Sequence, residues 1–256
     1  MEKEFYKVTI DGRKVDVQKG STILSAARKQ KINIPTLCFF EPLKPRATCR
    51  ICVVEVKDGD KQKLVPSCNT SVSDGMEIST GSLKVINSRR LNLKALMNRN
   101  AESPVLLDLA RDLDVEPDFK GKDTCILCGL CIQVCSEHIK ANALSFEGQG
   151  ILKKVVNPFI DDKNTCITCG ACSYVCPTAF ITFDRKGDKG KIWDNEFKML
   201  PCRKCGKAHI TERFAKNLME KRNLSSDYFD ICDECKRKST VETVKTLVGW
   251  NEGIIK

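Results

Sequence analysis

Residues 125–135 read CILCGLCIQVC and residues 166–177 read CITCGACSYVCP. Each phrase spaces three cysteines by two residues and adds a fourth after three more, and together they are the one clear repeat in the chain. Three thiolates at that spacing hold three irons of a 4Fe-4S cubane within one turn of chain, and in a duplicated module the fourth cysteine reaches the other cluster. The spacing therefore predicts one centre on Cys125, Cys128, Cys131 and Cys176, and another on Cys166, Cys169, Cys172 and Cys135. Gly129 and Gly170 let backbone N–H groups approach the sulfurs, where they stabilise charge. A pair of zinc knuckles would not need the third cysteine of each run.

The remaining cysteines continue the arithmetic. All sixteen fall into four groups of four: 38/49/52/68, 125/128/131/135, 166/169/172/176 and 202/205/232/235. Disulfides would suit a secreted chain, yet MEKEFYKVTIDG has no apolar signal stretch, so a reducing, cytoplasmic setting and metal ligation are expected. No apolar run is long enough to span a bilayer, which predicts no membrane insertion. The formal charge of +10 counts every cysteine as a neutral thiol. Four loaded sites at roughly −2 each would bring the chain to about +2, so the basic balance compensates buried anionic centres and does not call for nucleic acid.

At 256 residues with 6% aromatics, the chain has room for two or three small units that need more than apolar packing. EFYKVTI (4–10) and RKVDV (13–17) flank Asp11-Gly12, a strong hairpin signal. Ser21 or Thr22 then caps a helix with Ile23, Leu24 and Ala27, and a strand from Ile51 to Val56 follows Cys49 and Cys52. Strand, strand, helix, cysteine loop, strand predicts a β-grasp domain over 1–80. Over 81–117 a helical linker is expected, with Leu83, Ile86, Leu93 and Met97 at helical spacing and a second helix opening at Ser103-Pro104. A double-cubane domain fills 118–186 and a C-terminal CxxC…CxxC domain 187–256. The predicted class is α+β.

In the first group, ten residues separate Cys38 from Cys49, two separate Cys49 from Cys52, and fifteen precede Cys68. The first interval departs from the plant 2Fe-2S spacing, but a close pair between two outlying ligands is kept, as a 2Fe-2S loop requires. Around these ligands stand STILSAARKQKINIPTLC, CRICVVEV and LVPSCNTSVSDGMEI, and farther on DTCILCGLCIQVC, ALSFEGQG and CGACSYVCPT. Residues 1–186 thereby resemble the N-terminal ferredoxin arm of the large iron-sulfur subunit of complex-I-type NADH dehydrogenases, NAD(P)-linked hydrogenases and iron-only hydrogenases. That resemblance implies an electron-transfer subunit of a multi-subunit, anaerobic oxidoreductase linked to NADH, ferredoxin, hydrogen, formate or aldehyde. It also implies flavin/NADH-binding or catalytic metal subunits as partners in a hetero-oligomer. Two departures matter: the stretch Arg99–Asp112 lacks the histidine and cysteines of the family's additional cubane, which is therefore expected to be absent, and the catalytic domain with which the iron-only hydrogenases continue is not expected after residue 186.

Cys202, Cys205, Cys232 and Cys235 form two C-x2-C pairs, predicting a zinc-ribbon-like site or a further 4Fe-4S centre. Cys205-Gly206 suits a tight turn, and Ile210, Phe214 and Leu218 make a helical stripe. The expected inventory is one 2Fe-2S cluster, two 4Fe-4S clusters and one zinc ion or third cubane. No G-x-G-x-x-G opens a helix, and Gly148-Gln-Gly150 reads as a hairpin turn. His138 and His209 are expected at the surface, the carboxylates of LLDLARDLDVEPD on a solvated helix face, and Trp193 and Trp250 in packing. No residue is predicted to be catalytic. The alternative reading is a redox or metal sensor that binds nucleic acid through the basic C-terminal domain, with its KRK at 236–238 and the basic residues near Cys202.

Overall fold

Asp11 and Gly12 take φ of +47° and +80°, the two left-handed positions of a type I′ turn, and so set strand β1 (Phe5–Ile10) antiparallel to β2 (Arg13–Gln18). Thr22 caps α1 (Ile23–Lys29), its hydroxyl accepting the Ser25 N–H at 3.2 Å. α1 buries Ile23, Leu24, Ala26 and Ala27 against Val8, Ile10, Val54, Val56 and Ile78. β3 (Val53–Asp58), β4 (Lys61–Pro66) and β5 (Glu77–Ser79) complete a sheet of order β2-β1-β5-β3-β4, in which β1 and β5 are parallel and the other neighbours antiparallel. This is the mixed sheet crossed by a helix that the opening of the sequence predicts. The third strand starts at Val53, not Ile51, because Arg50 is left-handed at φ +57° and the chain is still turning through Ile51 and Cys52. β4 and β5 escape the periodicity reading: KQKLVP lies largely exposed without alternation, and EIS is three residues long.

The computed structural model describes residues 4–59, 61–116, 121, 125–157, 165–193 and 195–247. It divides into a first unit of residues 1–140, 144–156 and 171–180 and a second of residues 141–143, 157–170 and 181–256.

In the first unit, Ser82 caps α2 (Leu83–Met97) and Pro104 opens α3 (Pro104–Asp112). The helices expected over 81–117 are present, but the buried face of α2 is Val85, Arg89, Leu93 and Met97, whereas Leu83 is 74% exposed. Leu93, Met97, Leu106, Ala110 and Ile126 pack with Leu37, Cys38, Cys49 and Ile51 in one apolar cluster. The segment is therefore a wall of the first cysteine loop as well as a connection. α4 (Leu130–Gln133) runs into a wider π-type turn (Val134–Ile139), and α5 (Ala171–Tyr174) packs against both. β6 (Ser145–Glu147) and β7 (Lys154–Val156) form the hairpin expected around Gly148 and Gly150.

The second unit holds an antiparallel sheet of order β11-β10-β9-β8: β8 (Phe183–Lys186), β9 (Lys189–Ile192), β10 (Asn195–Pro201) and β11 (Ala208–Thr211). α6 (Glu212–Arg222) and α7 (Asp233–Leu247) follow. Ile210 lies in β11, not on the helical stripe assigned to it, and the residue α6 buries is Ala215. Thr211 ends the strand and caps the helix, accepting the Phe214 N–H at 3.2 Å.

Leu93 is fully buried and Leu91, two residues earlier, is 70% exposed. Leu93→Ala is expected to cost about 2–5 kcal/mol in urea unfolding followed anaerobically, and Leu91→Ala less than about 0.5 kcal/mol. Equal effects would contradict the packing of α2.

Candidate metal centres

Cys38, Cys49, Cys52 and Cys68 are all buried, at the junction of two apolar clusters: Cys52 and Cys68 in the sheet core, Cys38 and Cys49 in the helical one. They stand as two hydrogen-bonded pairs. The bond from Cys38 holds Cys49 down to about 6, and that from Cys68 holds Cys52 down to about 7. Cys38 and Cys68 are pushed up by the same bonds and then by burial. The Cys49 N–H also donates to the Cys38 sulfur at 3.3 Å. Two close pairs of thiols, each poised between thiol and thiolate, match two irons taking two thiolates each.

The ten-residue interval after Cys38 has a use. Its Leu43 packs with Leu130, Val134 and Val175, and Phe40 meets Tyr174 edge-on at 5.9 Å between centroids. Gln133, 1% exposed, donates from Nε2 to the Lys44 carbonyl at 2.9 Å and to Glu137 Oε2 at 3.0 Å, and Arg46 pairs with Glu137 at 3.2 Å. The loop that carries one ligand set is thereby pinned to the helix that carries Cys131.

Around Cys125, Cys128 and Cys131, burial pushes Cys128 up to about 12, with the charges of Cys176, Cys125 and Cys49 adding to it. Cys131 is pushed up by burial, then by Cys128, Cys125, Cys172 and Cys176. Cys176, far along the sequence, is thus within electrostatic reach of the first run, and Cys49 within reach of Cys128. Cys135 and Cys172 are buried in the first unit, and Cys166 and Cys169 are half-buried in the second. The backbone repeats with the sequence: Leu127 and Thr168 have φ of +54° and +55°, Gly129 and Gly170 of +79° and +76°. A Cβ on Gly129 would lie 3.6 Å from the Phe146 ring, and one on Gly170 2.9 Å from Phe183. Both glycines suit the left-handed φ, and Gly170 also leaves room for the Phe183 ring, which a Cβ would crowd. Arg99 donates from Nε to the Cys125 carbonyl at 2.9 Å and from Nη2 to the Lys153 carbonyl at 2.6 Å.

The second unit brings Cys202, Cys205, Cys232 and Cys235 together, every sulfur within 4.8 Å of the others. Cys205 and Cys232 sulfurs are 3.8 Å apart, the Cys232 N–H donates to the Cys202 sulfur at 3.3 Å, and the Cys235 N–H to the Cys232 sulfur at 3.5 Å. The Cys232 N–H is the main reason that Cys202 is held down to about 6, whereas the hydrogen bond with Cys232 pushes Cys235 up to about 12. Four sulfurs about 2.3 Å from one ion stand about 3.8 Å apart, and a cubane, with four irons between its ligands, spreads them farther. Gly206, at φ +71°, closes the first turn with its N–H on the Cys202 carbonyl at 2.8 Å.

Comparison with known proteins adds family to geometry. Residues 6–82 match the 2Fe-2S iron-sulfur cluster binding domain and residues 159–182 the 4Fe-4S binding domain. Both ferredoxin-type modules are present. Among curated proteins, the chain is 32% identical to the NADP-reducing hydrogenase subunit HndD of Solidesulfovibrio fructosivorans, over 59% of this chain and 31% of that protein. It is 32% identical to an NADH-quinone oxidoreductase subunit of Rhizobium meliloti (57% and 20%) and 31% identical to the NADH-ubiquinone oxidoreductase 75 kDa subunit of Reclinomonas americana (56% and 24%). The chain spans less than a third of these relatives' length. Among solved structures, an NAD+-reducing NiFe-hydrogenase in the H2-reduced state shares the fold at a TM-score of 0.52 and 24% identity, over 60% of this chain and 76% of that one.

Of the other residues singled out, His138 is exposed as expected, but His209 is half-buried with Nε2 3.0 Å from the Phe229 carbonyl. Trp193 is half-buried, and Trp250 lies outside the described residues. The basic triplet is engaged within its own domain. Lys236 donates to the Tyr228 carbonyl at 2.6 Å and sits 3.8 Å from that ring's centroid, Arg237 donates to the Asp233 carbonyl, and Lys238 pairs with Glu234 at 3.2 Å. Among the described residues no helix is long and apolar enough to cross a membrane. Two groups escaped the sequence reading. Arg99 carried no motif, and Phe40 and Leu43 were visible only as apolar residues inside an overlong loop.

The reach of Cys176 to Cys128 and Cys131 makes a specific demand on a variant. In Cys176→Ser, the electron paramagnetic resonance signal of the cubane on Cys125, Cys128 and Cys131 is expected to change, with the neighbouring cubane's signal retained. Change confined to the centre of Cys166, Cys169 and Cys172 would refute the crossed ligation.

Proposed function

We propose that this chain is an electron-transfer subunit that relays single electrons between partner subunits of an oxidoreductase complex. It would use a 2Fe-2S centre on Cys38, Cys49, Cys52 and Cys68 and 4Fe-4S centres on Cys125, Cys128, Cys131 and Cys176 and on Cys166, Cys169, Cys172 and Cys135. The observation that carries the reading is the nearness of two ligand sets: Cys49 lies within electrostatic reach of Cys128, and Cys38, Cys49 and Cys128 share one apolar cluster. Iron-sulfur clusters, when bound, supply one-electron chemistry at metal–thiolate bonds. The protein's own part is to keep water from the ligands with Leu37, Ile51, Leu93, Met97 and Ile126, and to aim N–H groups such as those of Cys49 and Leu127 at sulfur. The similar hydrogenase and NADH-quinone oxidoreductase subunits support NADH- or hydrogen-linked partners carrying flavin or a catalytic metal.

The proposed division of labour follows the four segments 1–80, 81–117, 118–186 and 187–256. The first and third would carry electrons, and the second would pack around the first centre. The fourth would hold a structural zinc on Cys202, Cys205, Cys232 and Cys235, a choice supported by sulfurs spaced for one ion. The additional histidine-ligated cubane of the similar subunits has no place here in this reading. Arg99–Asp112 offers α3 and no histidine or cysteine, and the Ala101 N–H closes the backbone onto the Gly121 carbonyl at 3.1 Å. The contacts of 236–238 with their own domain favour the relay over the nucleic-acid alternative, whose other support is the exposed basic residues near Cys202.

Anaerobically prepared protein is expected to contain about ten irons, two plus four plus four, with one zinc. About fourteen irons without zinc would extend the relay into the C-terminal domain, and about six irons after full reconstitution would remove one cubane and defeat the relay as stated.

A further inference from the structure

The apolar face of α2 is interrupted once. Between Val85 and Leu93, where the helical period calls for an aliphatic residue, stands Arg89, 6% exposed. A buried guanidinium without a carboxylate is costly, and such groups persist where something nearby uses their charge. Arg89 donates from Nη2 to the Val53 carbonyl at 2.8 Å, and its Nε–H is buried with no partner. Val53 directly follows Cys52, and Cys52 and Asp11 are the groups whose charges favour the protonated guanidinium, against the burial that pulls its pKa down. Asp11 is already engaged, accepting from the Thr80 N–H and hydroxyl at 2.8 and 2.6 Å. Those bonds leave the Asp11 carboxylate charged, and of the two anionic groups Cys52, on the thiolate side of the first metal site, draws the more strongly on the buried cation.

We propose that Arg89 is a potential-setting residue for the 2Fe-2S centre, a fixed cation beside the Cys52 ligand that favours the reduced cluster. The inference rests on the proposed ligation by Cys38, Cys49, Cys52 and Cys68. Four thiolates around an oxidised 2Fe-2S core carry a net charge of about −2, and one electron raises it to about −3. A cation held in a low-dielectric wall stabilises the more negative state more, so its removal lowers the reduction potential. No proton transfer is involved, because a guanidinium stays charged.

The test is an anaerobic redox titration of the fully loaded protein, with the 2Fe-2S signal followed by electron paramagnetic resonance and the cubane signals as internal references. In Arg89→Gln the 2Fe-2S centre is expected to become about tenfold harder to reduce, about 59 mV for one electron, with the cubanes unmoved and Arg89→Lys restoring most of the difference. An unchanged potential in a glutamine variant with full iron content would overturn the proposal, as would a lysine variant shifted as far as glutamine, which would mean packing and not charge. Should the glutamine variant fail to load, pulsed spectroscopy of the unaltered protein labelled with 15N-arginine decides. A coupling to guanidinium nitrogen in the reduced 2Fe-2S signal is expected, and its absence would overturn the proposal that the cation lies beside this centre. Absence of any 2Fe-2S signal from the unaltered protein would remove the ligand assignment itself, and with it this role.

Discussion

The proposed bond between thiolate sulfur and metal is the interaction around which this fold is arranged. Burial pushes Cys128 and Cys131 toward the neutral thiol, and each pair at the first site has one sulfur held down and one pushed up. A metal resolves that conflict by replacing the protons, so that binding energy is also folding energy. The chain needs it. Aromatics are 6% of the residues, and the clusters around the sites consist of short aliphatic runs that converge on cysteine.

The ligand loops in turn decide what the regular elements do. α1 and the five-stranded sheet make one core and α2 with α3 another, and Cys38, Cys49, Cys52 and Cys68 are shared between them. In the repeat, left-handed residues before and after the second cysteine turn the chain around the site, and Phe146 and Phe183 cover the glycines. Strand and helix here serve mainly to present turns.

What was legible in the sequence was whatever obeys a short rule. The cysteine spacing, the Asp11-Gly12 hairpin, a cap at Ser21 or Thr22 and the helix opened by Ser103-Pro104 all follow from local chemistry. β4 and β5 were hidden because an exposed edge needs no alternation and a three-residue strand is defined by its neighbours. The buried face of α2 was legible in its C-terminal half, at Leu93 and Met97, and missed in its N-terminal half, where Arg89 occupies a core position and Leu83 a solvent one. Ile210 was placed in a helix because Thr211, which ends the strand, also begins α6. The first interval of the first ligand group looked like a departure from the expected spacing until its Leu43 and Lys44 were seen packed and hydrogen-bonded against residues 130–137 and Val175.

The same loop bears on how the protein is made. Leu43 packs on Leu130, Val134 and Val175, and the buried Gln133 donates to the Lys44 carbonyl. A nascent chain whose first site is still empty has less to hold the segment from Cys38 to Cys49 in that position, so the greasy side of the repeat stays open to chaperones and proteases. An occupied first site would thereby help to keep the scaffold around Cys131 covered.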